Sequence, residues 1–181
     1  MSRVQLLNTD LTPDRQQVLE EVQAAFGATP NMFRAVANSP AALRSMWGSF
    51  GALGSGSLGA KLGEQLAVAI ANLNDCEYCL AAHTALGRKA GATKDEMDAA
   101  QVGEANDPRT AAALRFALKL VRGRGQVSDA EVDHLRAAGF NDESIVEIIA
   151  HVALNLFTNY VNVALQVPVD FPGVKLRPAG Q

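Results

Sequence analysis

The segment NDCEYCLAAH, residues 74–83, holds both cysteines of the chain, Cys76 and Cys79, and a histidine, His83, four residues beyond the second. On a helix, Cys76 and Cys79 stand at i and i+3, and Cys79 and His83 at i and i+4, so all three share one face. That spacing lets a disulfide close with little backbone movement and brings an imidazole toward the second sulfur. Two thiols so placed can attack with one sulfur and resolve the adduct with the other, ending as a disulfide. Two influences compete over which sulfur attacks. The free N–H groups at a helix start favour a thiolate at Cys76, whereas His83 is better placed to help Cys79. The residues alone leave the two roles open.

Glu64 lies twelve residues before Cys76, in KLGEQLAVAIANLND. If the helix carrying it packs antiparallel to the cysteine helix, its carboxylate reaches His83 and completes a nucleophile–base–orienter set. On the outer face it is an ordinary solvated glutamate. Metal binding is the chemical rival, because Cys76, Cys79, His83 and Glu64 all carry zinc-competent atoms. A Cys-x-x-Cys-x-x-x-His run continuous in one helix is a poor zinc geometry, since structural sites place the cysteine pair in a tight turn. No metal and no cofactor is therefore assigned. Inert buried thiols are a third reading, given the apolar Leu80, Ala81 and Ala82.

A second polar pattern lies in HVALNLFTNYVNVAL, where His151, Asn155, Asn159 and Asn162 recur on one face of an otherwise apolar helix. It reads either as an exposed face or as a buried row turned toward the dithiol or a subunit seam. His151 and Asn155 are candidates for lining a pocket, as is Tyr78 between the cysteines. Phe33, Met46, Trp47 and Phe50 have the spacing of core or interface residues and could instead wall an apolar pocket.

The elements that must position these groups are helices. Ala and Leu dominate the periodic segments, and alternating strands are nearly absent. Helices are expected over 12–26 with Thr12 as cap, to 36 after a turn at 27–32, over 40–50, over 58–72 capped by Ser57, and over 76–89 capped by Asn74 or Asp75. Others fit 94–102, 108–121, 128–137 and 142–165. GALGSGSLG, residues 51–59, reads as a loop. The whole, 1–181, is expected to be one all-α domain, with a proline-rich tail from about 166 that either packs over a neighbour or stays loose.

Composition narrows the partners. A net charge of -3 without a Lys/Arg run argues against nucleic acid. The N-terminus lacks the apolar core of a secretory leader, and no stretch reads as a membrane span, so a cytoplasmic location is expected. Two cysteines in such a chain suggest catalysis, metal binding or burial rather than a disulfide framework.

Glu64, the CEYC segment and His83, in an all-helical chain, resemble the AhpD-like (alkylhydroperoxidase-like) branch of the carboxymuconolactone decarboxylase superfamily, most closely over residues 58–100. Length and layout resemble its peroxidase-related members. The resemblance implies an AhpD-like helical domain with the Cys-x-x-Cys at the N-terminal end of a central helix. It implies thiol-dependent reduction of alkyl hydroperoxides or hydrogen peroxide. Cys79 would attack, Cys76 would resolve, and His83 with Glu64 would relay the proton. A lipoyl-bearing or thioredoxin-like protein would re-reduce the disulfide, and the subunits would form a homo-oligomer: a dimer, trimer or hexamer. One position departs from the family pattern, which carries a histidine directly before the second cysteine; here it is Tyr78. Decarboxylation is not implied, because that branch generally lacks the paired cysteines. Disulfide exchange with little peroxidase activity, or a non-enzymatic helical assembly, are the alternatives that the same residues allow.

Overall fold

The computed structural model describes residues 2–9 and 11–178; the outermost residues of the expected domain and tail lie outside that range. The described residues form nine α-helices and no strand: α1 Pro13–Phe26, α2 Asn31–Val36, α3 Pro40–Gly54, α4 Ala60–Leu73, α5 Glu77–Lys89, α6 Lys94–Gln101, α7 Pro108–Arg122, α8 Asp129–Ala137 and α9 Asp142–Leu165.

The sequence AKLGEQLAVAIANL of α4 is apolar on nearly every side, and it is buried accordingly, in contact with α5, α6, α7 and α9. Two glycines set how closely its neighbours approach. A Cβ at Gly87 of α5 would lie 3.3 Å from the Cβ of Glu64 and would collide with the Met97 side chain. A Cβ at Gly63 would sit 3.1 Å from the His151 ring. Small residues at these two points let α5 and α9 close on α4 where the candidate groups lie.

Helix starts follow local chemistry at α6, α8 and α9, each with a reciprocal capping box: Thr93 with Glu96, Ser128 with Glu131, Asn141 with Ser144. Other caps differ from expectation. The Thr12 side chain bonds Asp14 rather than the helix backbone. Ser57 does not cap α4, which starts behind Gly59 at φ 77; its N–H and hydroxyl instead donate to Glu147 at 2.8 and 2.9 Å. Neither Asn74 nor Asp75 caps α5. Asp75 takes a left-handed φ of 52, and the Cys76 sulfur accepts from the Cys79 N–H at 3.2 Å. α3 also continues through Gly51 to Gly54 rather than ending at 50, because Leu53 still has core to pack against.

α9 corrects the reading that nothing in the chain resembles a membrane span. By length and composition, with a mean hydropathy of 1.4, it could cross one. One face of it packs inside the fold, where Asn155, Asn159 and Asn162 are buried against neighbouring helices, while Val146, Ile149 and Tyr160 on the other face are exposed. Beyond α9, residues 166–178 pack rather than hang loose. The Asp170 carboxylate accepts from the Asn31 N–H at 2.7 Å, at the start of α2. The Asn72 side chain pairs with the backbone of Arg177 in both directions, at 2.9 and 3.0 Å. Gln101 donates to the Lys175 carbonyl at 2.8 Å.

Candidate active site

The N-terminal end of α5 carries the Cys76–Cys79 pair, joined as a disulfide with its Cα atoms 5.4 Å apart. Both residues are buried. The geometry follows from the i, i+3 spacing across the first turn of a helix.

His83 lies one turn further on. Its Nδ1 is 2.7 Å from Glu64 Oε2, and both side chains are largely shielded from solvent. The close packing permitted by Gly87 makes this contact possible. Of the two placements open to Glu64, the structure has the inward one. The carboxylate favours the tautomer that carries its proton on Nδ1, in which the Nε2 lone pair can accept a hydrogen bond.

Cys79 and His83 open on a shared cavity of about 30 Å³, walled by Phe26, Phe33, Phe50, Tyr78 and Phe171, with Thr158 and Asn162 as its polar members. Phe33 and Phe50 thus serve core and cavity together. Larger surface depressions, of about 450 and 680 Å³, bring no cysteine or histidine together.

Tyr78 lines the cavity without filling the role of the family's histidine. Its hydroxyl accepts from the Met32 N–H at 3.2 Å, and its ring meets Phe171 edge-on. Burial pushes its pKa far above the usual phenol range. It is a neutral wall that ties α5 to α2 and the tail.

The α9 row faces inward. Asn162 donates to Cys79 Sγ at 3.2 Å, and Asn159 accepts from Asn74 at 3.0 Å. Asn155 Oδ1, Asn159 Nδ2 and Asn162 Oδ1 have no hydrogen-bond partner among the described residues. His151 and Asn155 lie on this row but outside the cavity lining. Burial lowers the pKa of His151; the carboxylates of Glu147 and Glu64 oppose this, and His83 adds to it.

Asn162, Phe26, Thr158 and Phe171 were not singled out from sequence as site residues. Only Asn162 carried a signal, as a polar residue recurring in an apolar helix. Among the described residues, no group of three or more His, Cys, Asp or Glu is arranged to hold a metal ion.

Residues 40–122 match the sequence profile of the carboxymuconolactone decarboxylase family. No curated protein sequence matches the chain. Among solved structures, an alkylhydroperoxidase AhpD core, an uncharacterized peroxidase-related protein from Ralstonia eutropha JMP134, is 30% identical with a TM-score of 0.86, over 93% of this chain and 92% of that one. A peroxidase-related protein from Silicibacter sp. TM1040 is 25% identical with a TM-score of 0.81, over 98% and 95%. The debrominase Bmp8, at 19% identity and a TM-score of 0.75 over 87% of both chains, shares the fold. With this likeness spanning nearly the whole chain and the dithiol seated at a helix start, the chain belongs to the AhpD-like, peroxidase-related branch of the carboxymuconolactone decarboxylase superfamily.

Proposed function

We propose that the protein is a thiol-dependent peroxidase cycling between a Cys76–Cys79 dithiol and disulfide. The observation that carries this is the shared cavity of Cys79 and His83, with Glu64 2.7 Å behind the imidazole. His83 takes the Cys79 proton. The thiolate attacks the O–O bond, giving a Cys79 sulfenic acid, and the departing oxygen takes up the proton from His83. The Cys76 thiol then displaces hydroxide from that sulfur, closing the disulfide and releasing water. The Asn162 amide steadies the negative sulfur. A lipoyl-bearing or thioredoxin-like dithiol restores the reduced state. We further infer assembly with a second copy through the outer face of α9, where Val146, Ile149 and Tyr160 are exposed at helical spacing.

The test is stopped-flow mixing of the reduced protein with hydrogen peroxide and with cumene hydroperoxide, counting thiols and intact mass before and after. Consumption well above that of free cysteine, with loss of both thiols, is expected. Failure with both peroxides would refute the reading.

A second reading, protein disulfide exchange without peroxide turnover, has two observations in its favour: Tyr78 stands where the family has histidine, and the cavity is small. Rapid exchange with a partner dithiol, alongside negligible peroxide consumption, would select it.

A further inference from the structure

The two cysteines, both buried, line different spaces. Cys79 lines the small cavity shared with His83, and Cys76 does not. Cys76 lines a separate groove of about 210 Å³, and Cys79 does not. Tyr78 and Asn162 border both spaces and so form the partition between them. The wider groove is floored by Val163 of α9 and by Val169 and Leu176 of the tail, with Asp75 and Glu77 exposed at its rim. No Lys, Arg or His is among its lining residues.

Resting on the dithiol cycle proposed above, we propose that the disulfide is re-reduced through this groove, by an uncharged dithiol attacking Cys76. Thiol–disulfide exchange depends on access and on which sulfur is attacked, and the nucleophile approaches in line with the bond it breaks. Attack on Cys79 would have to come through the narrower, aromatic-walled space of about 30 Å³ beside His83. Attack on Cys76 comes through a groove several times larger.

The electrons balance. The reductant thiolate bonds to Cys76 Sγ, the Cys76–Cys79 bond breaks, and its electron pair leaves on Cys79. The reductant's second thiolate then attacks its own first sulfur, closing a disulfide in the reductant and freeing Cys76 as a thiolate. Each protein sulfur accepts one hydrogen bond, Cys79 from Asn162 and Cys76 from the Cys79 N–H, both at 3.2 Å. Hydrogen bonding therefore does not choose between them, and neither does burial; the width of the adjoining space does. The two rim carboxylates repel anionic thiols, which makes an uncharged dithiol the better fit.

The test separates the sulfurs. Cys79→Ser and Cys76→Ser proteins, reduced and then mixed with bis(2-hydroxyethyl) disulfide, are followed by intact mass. Mixed-disulfide formation on Cys76 is expected to be at least ~10-fold faster than on Cys79. Equal rates, or a faster Cys79, would overturn the proposal. On the unmodified oxidised protein, dithiothreitol should outpace glutathione, and the Asp75→Asn/Glu77→Gln protein should narrow that gap roughly 3-fold at low salt. An unchanged gap would remove the charge argument. Neither readout needs peroxide, so failure of the peroxidase reading would leave this result distinct.

Discussion

At the start of α9, the Asn141 side chain accepts from the Ser144 N–H at 2.9 Å, and the Ser144 hydroxyl accepts from the Asn141 N–H at 3.0 Å. At the start of α5, the cap is the Cys76 sulfur, a weak acceptor, and the residue before it is an aspartate at positive φ. The first arrangement satisfies helix N–H groups with side chains suited only to that task. In the second, a cysteine sulfur is itself the cap, so the electrostatics that stabilise a helix start are turned on sulfur. The comparison teaches how differently two helices of one fold begin: α9 with side chains that close the helix, and α5 with the dithiol that the proposed cycle uses.

The contrast would fail most visibly at Cys79. Cys79→Ser should lower peroxide consumption by at least ~10³-fold in stopped flow, with the helical fold intact by circular dichroism; retained activity would exclude Cys79 as the attacking thiol. Glu64→Gln removes the carboxylate behind His83 and should cost roughly 10²-fold in kcat/KM. A loss of stability without a change in rate would reassign Glu64 to packing. Phe171→Ala opens the cavity wall, and the rate ratio of cumene hydroperoxide to hydrogen peroxide should rise several-fold. Asn141→Ala, at the opposite kind of helix start, should destabilise by about 1 kcal/mol in urea titration and leave the peroxide rate unchanged.

The smallest effect concerns pH. His151 has its pKa lowered by burial, so the unfolded state binds the proton more readily. Its contribution is intact above the unfolded value near 6.5 and is lost as pH falls below it. His151→Gln should flatten the decline in stability between about pH 6.5 and 5, measured by thermal unfolding at stepped pH.

What could be read from the sequence was local. The shared face of Cys76, Cys79 and His83 depends on helical period alone. Glu64 was ambiguous, because its direction depends on α4–α5 packing, which Gly87 and Met97 decide. The period of the α9 row allowed a buried face turned toward the dithiol, but which of its residues meets Cys79, 83 residues away, depends on α5–α9 packing. The failed caps have one cause in common: Ser57 and Asp75 were judged by neighbours in sequence, while their surroundings come from Glu147 and the dithiol.

The strap of residues 166–178 also bears on how the chain is made. It supplies Phe171 to one side of the disulfide and Leu176 to the other, and Asn72, four residues before Cys76, holds its far end at Arg177. On the ribosome, α4 and α5 emerge well before this strap. During that interval the thiols have their helices but not their cover. The dithiol is therefore more open to solvent in the nascent chain than after the strap docks.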